Sequence, residues 1–168
     1  MAPRLVVGGD ADGSVRIHRT NSGELLATVT GAHTSAVYCA AFFRARGGPR
    51  AATLVTGSSD ATLALWDISE EFDPESGVGV RAALRTVLTG HGGPVWGVAC
   101  DGLTIVSASA DGSLKVWAAA SGECLATLRG HAGGARCVTI HPSGHSALSG
   151  SQECVRFLPP SIAFFRRR

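Results

Sequence analysis

The chain has 168 residues, enough for about one domain, and a formal net charge of +2 with 17% charged residues. This balance argues against a nucleic acid or an acidic membrane surface as its partner. We also expect no membrane span and no secretory signal, because no apolar run approaches about eighteen residues and the opening MAPRLVVGGDADG lacks a long apolar segment.

Several segments repeat parts of one unit of about 40 residues. Ser22–His33 reads SGELLATVTGAH, and Thr56–Asp67 reads TGSSDATLALWD. The fullest unit, Gly90–Trp117, is followed by SGECLATLRGH, which brings the chain to a second Gly-His pair at His131, forty residues after His91. Gly-His near the start and Trp-Asp near the end of such units are typical of a β-propeller blade. At these residues the chain resembles the WD-repeat family, and the resemblance covers nearly all of it.

The resemblance implies four-stranded antiparallel sheets, or blades, with strands a to d, and the predicted strands follow this plan in chain order. The first unit starts at Leu5 in strand b, with no strand a before it. In the second unit, strands a to d are predicted at Ala36–Phe43, Thr53–Gly57, Thr62–Trp66 and Leu84–Leu88. In the third unit they are predicted at Val95–Cys100, Thr104–Ser107, Ser113–Trp117 and Glu123–Leu128. The fourth unit has strands a to c at Arg136–Ile140, Ala147–Gly150 and Cys154–Leu158.

Short polar turns and two insertions separate these strands. Ser59-Asp60-Ala61 and Ala110-Asp111-Gly112 are turns of the kind that close hairpins. Arg44–Arg50 and Ser69–Val80 are polar and rich in Gly or Pro, so they are predicted to be surface loops of the second unit. Pro159-Pro160 cannot continue the interior of a sheet.

The sequence therefore predicts an all-β fold, a partial or open β-propeller of four-stranded antiparallel blades, two complete and two incomplete. The units cover residues 1–33 (strands b to d), 34–91, 92–131 and 132–160, and a basic tail covers residues 161–168. Propellers close with typically 4–8 blades, so we expect a fragment or truncated form of a larger propeller. Open blade edges are templates for pairing, which makes self-association through them an expected interaction.

Two units carry a set of four residues that the family resemblance assigns to one structural hydrogen-bond network. The sets are His33, Thr56, Asp60 and Trp66 in the second unit and His91, Ser107, Asp111 and Trp117 in the third. The chemistry is sound, because an indole N–H donates to a hydroxyl, a hydroxyl to His, and His to a carboxylate. The outer units hold weaker versions, which are His131, Ser149, Glu153 and Pro159 in the fourth and Gly8, Asp12 and His18 in the first.

Ser, His and Asp are also the members of a hydrolase triad. A nucleophile would need exposure and an oxyanion hole, and nothing in the sequence supplies them. We therefore predict a structural role for these residues, no catalytic residues and no enzymatic activity.

The resemblance also points to residues that contact partners. In this family the strand-a residue five positions after the His opens onto the narrow face of the propeller, where partners commonly dock. Those positions hold Tyr38, Trp96 and Arg136, residue types enriched at binding hot spots. The same rim holds Ser59, Ala110 and Gln152, which precede each turn acid, and Ala36, Pro94 and Gly134. The alternative is that Tyr38 and Trp96 simply pack between adjacent blades, and the sequence leaves both interpretations open.

We predict no metal site and no cofactor. Asp10-Ala11-Asp12-Gly13 resembles the start of a calcium loop, but Val15 and Asn21 stand where such a loop needs Gly and Glu. Cys137, His141 and His145 are spaced four apart, yet they fall across a strand and a turn, so their side chains diverge. The five cysteines are odd in number and form no C-x-x-C pair, which indicates reduced thiols and a cytoplasmic or nuclear location.

The leading functional hypothesis is a non-catalytic protein–protein interaction scaffold or adaptor of the WD-repeat type. A narrower alternative is the substrate-recognition part of a ubiquitin-ligase complex, which would need a recruiting motif that these residues do not show. A further alternative is a structural half-propeller that assembles with another chain. An enzyme would need a pocket that the sequence does not indicate.

Overall fold

A computed structural model describes residues 5–44, 51–71, 79–141, 143–144, 146–151 and 155–158. These residues form β-strands and turns, and they form no helix long and apolar enough to span a membrane. The strands are β1 (Leu5–Gly9), β2 (Val15–Arg19), β3 (Leu25–Val29), β4 (Val37–Arg44), β5 (Ala51–Ser58), β6 (Leu63–Glu71), β7 (Gly79–Leu88), β8 (Val95–Cys100), β9 (Thr104–Ser109), β10 (Leu114–Ala118), β11 (Cys124–Leu128), β12 (Ala135–Ile140), β13 (Ala147–Ser151) and β14 (Val155–Leu158). The predicted all-β class is confirmed.

The strands form four antiparallel sheets, with three, four, four and three strands in chain order. Sheet 1 contains β1–β3, sheet 2 β4–β7, sheet 3 β8–β11 and sheet 4 β12–β14. Among the described residues this is the predicted pattern of two complete and two incomplete blades. Within each sheet every strand pairs with the next strand along the chain. Tight turns join β5 to β6 and β9 to β10. Gly112 takes a φ of +79° in one such turn, and Ala61 takes the same place with a φ of +68° in sheet 2.

Neighbouring sheets pack face to face, and each junction buries one apolar cluster. Between sheets 2 and 3, Val55 and Leu65 meet Val95, Ile105 and Trp117. Similar clusters join sheet 1 to sheet 2 around Val15, Ile17, Leu54 and Trp66, and sheet 3 to sheet 4 around Val106, Val116 and Ala135. Complete burial of one such aliphatic side chain stabilises a fold by about 1.5–3 kcal/mol. The junctions are therefore the core of the molecule.

Side-chain size is matched at the closest point of each junction. A Cβ atom added to Gly9 would lie 2.6 Å from the Cβ of Val37, and one added to Gly57 would lie 2.7 Å from Cγ1 of Val95. In the third junction, Ala108 stands in the place of these glycines and meets the smaller Ala135, both in one buried cluster. A glycine on one sheet therefore accommodates a valine of the next.

Arg85 on β7 connects sheet 2 to sheet 3. Its guanidinium pairs with the carboxylate of Asp67 and donates to the hydroxyl of Thr53 at 3.1 Å. A third N–H donates to the carbonyl oxygen of Ala119, 3.4 Å away, just after β10. This side chain adds a polar link to the apolar junction.

The predicted surface loop Ser69–Val80 is wrong in part. Strand β6 continues to Glu71 and β7 begins at Gly79, with Ser69 paired to Arg81 and Glu71 to Gly79. Pairing satisfies backbone N–H and C=O groups, and this requirement overrides the polar composition of the segment. The other predicted loop shortens likewise, since β4 reaches Arg44 and β5 begins at Ala51.

Replacing Trp117 by Ala should lower the free energy of unfolding by about 3–5 kcal/mol, because it removes a buried indole and leaves a cavity. Trp117 is only 2% exposed. The matched control Glu123→Ala, on the exposed turn before β11, should change the same quantity by less than about 0.5 kcal/mol. Urea denaturation measures both values. Equal losses in the two variants would contradict the core position of Trp117.

Candidate functional site

In sheet 3 the four residues of the predicted network lie within hydrogen-bonding distance. The indole N–H of Trp117 donates to Oγ of Ser107 at 2.9 Å, and Nε2 of His91 lies 2.7 Å from the same hydroxyl. Nδ1 of His91 lies 3.0 Å from Oδ2 of Asp111. Because a carboxylate only accepts, Nδ1 carries the proton and Nε2 accepts from Ser107. The backbone N–H of Gly92 also donates to Asp111 at 2.8 Å, which fixes the loop before β8.

Sheet 2 repeats this arrangement, and in both sheets a hydroxyl two residues after the turn acid also joins the acid to the histidine. In sheet 3 that hydroxyl is Ser113, which donates to Asp111 at 2.6 Å and lies 3.4 Å from Nδ1 of His91. Trp66 donates to Oγ1 of Thr56 at 3.0 Å, and Nε2 of His33 lies 2.8 Å from that oxygen. Nδ1 of His33 faces both Oδ2 of Asp60 at 3.3 Å and Oγ1 of Thr62 at 3.1 Å. The hydroxyl of Thr62 in turn donates to Asp60. The turn acid therefore reaches the histidine both directly and through a hydroxyl.

The electrostatics of both networks keep the histidines neutral and the turn acids charged. Burial lowers the pKa of His33 and His91 below the ordinary 6.5, although Asp60 and Asp111 favour the charged ring. Burial alone would raise the pKa of the two carboxyls, but hydrogen bonds from their own turns outweigh it and hold each pKa below 3.8. Ser107 and Thr56 are fully buried, so neither hydroxyl faces a substrate from solvent.

The outer sheets keep only parts of this network. In sheet 4, Nε2 of His131 lies 2.8 Å from Oγ of Ser149, while its buried Nδ1 has no hydrogen-bond partner among the described residues. Glu153 and Pro159, predicted to complete this set, lie outside the described residues. In sheet 1, Asp12 accepts from the backbone N–H of Ser14, and Nδ1 of His18 bonds to the carbonyl oxygen of Gly23. The two residues thus serve their own turns.

The three predicted partner-binding residues of the inner strands share one backbone feature. Each is the extra residue of a β-bulge, since the ladder register shifts between Val37 and Cys39, between Val95 and Gly97, and between Ala135 and Cys137. A bulge re-aims one side chain out of the ladder. We call Tyr38, Trp96 and Arg136 the bulge row. The family resemblance pointed to these three positions, but the sequence gave no signal of the bulges that redirect their side chains.

The members of the bulge row differ in exposure. Tyr38 is 53% exposed, Arg136 is exposed, and Trp96 is half-buried. Trp96 reaches across the junction to sheet 4, where a Cβ on Gly134 would lie 2.6 Å from its ring. The guanidinium of Arg136 stacks over that ring at 4.7 Å from the centroid. Packing between blades therefore describes Trp96 in part, and it does not describe Tyr38.

The turns that carry the network acids lie beside the bulge row. The backbone N–H of Ser59 donates to the carbonyl oxygen of Ala36 at 2.8 Å, and that of Ala110 donates to Pro94 at 2.9 Å. Each bond ties a turn to the residue two positions before a member of the row. Gln152, the remaining rim candidate, lies outside the described residues.

The other clusters of polar residues form local turn contacts. Asp10 pairs with Arg16 at 3.0 Å and accepts from the hydroxyl of Ser14. His141 bonds to Ser143 within its own turn, and Cys137 lies on β12. Among the described residues no group of three His, Cys, Asp or Glu side chains is placed to hold a metal ion.

The family described as "WD domain, G-beta repeat" matches residues 23–67, 82–118 and 122–157. The chain is 35% identical over 170 residues to the nuclear distribution protein PAC1 of Arthroderma otae, with 94% of this chain and 34% of that protein covered. It is 31% identical over 175 residues to the WD repeat-containing protein pop1 of Schizosaccharomyces pombe, with 82% and 22% covered.

A third similar protein is the p21-activated protein kinase-interacting protein 1-like of Danio rerio. Identity is 32% over 107 residues, which cover 61% of this chain and 26% of that protein. The chain thus spans about a third or less of the length of these relatives.

The free energy of unfolding should fall as the pH falls from about 7 to about 5, because the histidines bind protons in the unfolded chain but stay neutral when buried in the folded one. The sign follows from the lowered pKa of His33 and His91, since neutral rings stabilise the fold only above the pH at which unfolded histidines titrate. A second loss should begin below about pH 4, where Asp60 and Asp111 bind protons in the unfolded chain while their lowered pKa keeps them charged in the folded one. Urea midpoints across this range measure both.

The variant His91→Asn should be less stable at every pH. It should also lose less stability between about pH 7 and 5, because one of the two buried groups that bind a proton only in the unfolded chain has been removed. The control His141→Asn removes an exposed ring and should keep the full decline. A midpoint that stays level over this range in the unmodified chain would contradict the neutral state of the buried rings.

Proposed function

This chain belongs to the WD-repeat family, and we propose that it acts as a non-catalytic scaffold that binds a protein partner on the bulge row. The observation that carries the proposal is the repetition of one bulge on three successive inner strands, β4, β8 and β12. Each bulge presents a Tyr, Trp or Arg, the residue types that dominate binding hot spots. One relative, the p21-activated protein kinase-interacting protein 1-like of Danio rerio, is named for an interaction with a kinase, which agrees with a role in protein binding.

The rigidity of the row supports this proposal. The residues that precede Tyr38 and Trp96 are tied to their turns by backbone hydrogen bonds of 2.8 and 2.9 Å. Each turn is held in place by its acid and its histidine. A surface held in its bound conformation loses less conformational entropy when a partner binds, so a given set of contacts gives higher affinity.

Affinity capture with variants of the row tests the proposal. Partners retained by the unmodified chain should be lost or weakened at least about fivefold with Tyr38→Ala and with Arg136→Gln, as expected for hot-spot residues. Both side chains are exposed, so the urea midpoints should stay close to that of the unmodified chain. The matched control is Leu103→Ala, which changes a 50% exposed residue in the β8–β9 turn at the opposite edge of sheet 3. Partners lost equally with the control, or retained by both row variants, would refute the proposal.

We also propose that the outer face of sheet 4 is covered by sheet 1 of a second copy when the chain is isolated. Leu148 stands where Val55 and Val106 stand in the complete sheets, yet it is 39% exposed while they are buried. A Cβ on Gly150 would lie 2.8 Å from Sγ of Cys137, which repeats the pairing of Gly57 with Cys39. This face thus continues the pattern of the junctions inside the chain.

Sheet 1 offers the complementary face. The side of sheet 1 away from sheet 2 carries Val6, which is 51% exposed. Arg16 and His18 lie on the same side, because the equivalent residues of β6 and β10 face the preceding sheet. Large contiguous apolar surfaces are rarely left bare on monomers. Joining the two faces in each of two copies would give a ring of eight sheets, within the range at which propellers close.

Light scattering on the purified chain tests this assembly. The unmodified chain should self-associate, and Leu148→Asp should shift it towards the monomer, because a carboxylate in an apolar junction is costly. Leu103→Asp is the matched control and should leave the association unchanged. A monodisperse monomer with cooperative unfolding would refute the assembly and would leave the bulge row untouched.

A further inference from the structure

Arg136 differs from Arg16, Arg19 and Arg85 in its surroundings. Arg16 pairs with Asp10, Arg19 with Glu24, and Arg85 with Asp67, each with an acid of its own sheet. Arg136 is the second residue of β12 and is exposed. No carboxylate among the described residues lies within ion-pair distance of it. Its positive charge is therefore open to a group from outside.

A cation–π contact with Trp96 holds Arg136 beside the indole. Its Cζ lies 4.7 Å from the centre of the ring. The ring in turn reaches Gly134 of sheet 4, where a Cβ atom would lie 2.6 Å from the ring carbon Cζ3. The guanidinium carries a planar fork of N–H donors, which matches a carboxylate because a carboxylate accepts two parallel hydrogen bonds.

Asp111, the acid of the neighbouring turn in sheet 3, does not pair with Arg136. Asp111 follows Ala110, but its oxygens accept from the backbone N–H groups of Gly92 and Ser113 and from His91. These bonds hold the carboxylate inside its turn. The negative charge of the turn is thus used internally, and no carboxylate of the described residues neutralises the cation of the row.

We propose that the partner segment that docks on the bulge row is an acidic peptide whose Asp or Glu side chain is bound by Arg136, with an apolar side chain against Tyr38 and the free part of Trp96. This inference rests on the proposed function and names the chemistry of its partner. One open arginine at the end of the row, beside the indole of Trp96, fits a single carboxylate next to apolar groups. A nucleic acid would instead need several cations along a track, and the net charge of the chain is only +2.

Selection from a library of random linear peptides, displayed on phage, tests this chemistry with the full 168-residue chain as bait. The enriched peptides should share an Asp or Glu next to an apolar or aromatic residue. A synthetic copy of an enriched peptide should bind Arg136→Gln at least about tenfold more weakly, as expected for loss of a charge-assisted pair. Arg136→Lys should recover part of the affinity, because an ammonium keeps the charge and loses the fork.

Charge reversal gives the sharper readout. With Arg136→Glu as bait, the selected peptides should carry Lys or Arg in place of the acid. The matched control is Arg129→Glu, which changes an exposed arginine just after β11 and should keep the acidic consensus. Urea midpoints of all baits check that each variant is folded.

The outcomes separate this inference from the proposed function. Enriched peptides that need Tyr38 but carry no acid, or whose acidic consensus survives Arg136→Glu, would overturn the inference and leave the scaffold proposal standing. Peptides that bind equally well to Tyr38→Ala and Arg136→Gln would overturn both. An acidic consensus that is lost with Arg129→Glu and kept with Arg136→Glu would also overturn the inference.

Discussion

A tryptophan N–H that donates to a buried hydroxyl starts the chain of contacts on which each complete sheet depends. In sheet 3 the hydroxyl of Ser107 lies between the indole of Trp117 and the ring of His91, and the ring reaches Asp111. Buried polar groups are tolerated only when they are paired, so removal of any member leaves the others unsatisfied. The carboxylate at the end also binds the N–H of Gly92, which sets the loop that leads into β8. The network thus ties the loop before the bulge at Trp96 to the interior of the sheet.

The outer sheets show what the loss of this chain of contacts means. His18 stands at the place of Trp66 and Trp117, and its ring bonds to the nearby carbonyl oxygen of Gly23. Without an indole in the junction, that face of sheet 1 has less apolar area to bury. The stability of the molecule is therefore concentrated in sheets 2 and 3 and in the junction between them, where Trp117 meets Leu65 and Val55.

The fold could be predicted from the sequence because the repeated units carry the same pattern of strands and turns several times. Strand β8 has the predicted bounds, Val95–Cys100, since a Gly-Pro turn precedes it and a polar turn follows. The extension of β6 to Glu71 was not accessible, because Ser69-Glu70-Glu71 has the composition of a loop and is a strand only through its cross-strand partners. The bulges were not accessible either, because a bulge is defined by the cross-strand register, in which two residues of one strand oppose one residue of its partner. The stacking of Arg136 on Trp96 joins residues of different sheets and needs the missing side chain of Gly134, so no local pattern encodes it.

The two interpretations of Trp96, as packing residue and as contact residue, describe two parts of one side chain. One edge of its ring packs against Gly134 of sheet 4, and the ring contacts the guanidinium of Arg136. The repeat architecture favours such an arrangement, because sheets 2, 3 and 4 each place one bulged residue at the same edge. The type of that residue can change without disturbing the ladder. Here that position holds Tyr38, Trp96 and Arg136 in turn, so the fold supplies the geometry of the row and the divergence of three residues supplies its chemistry.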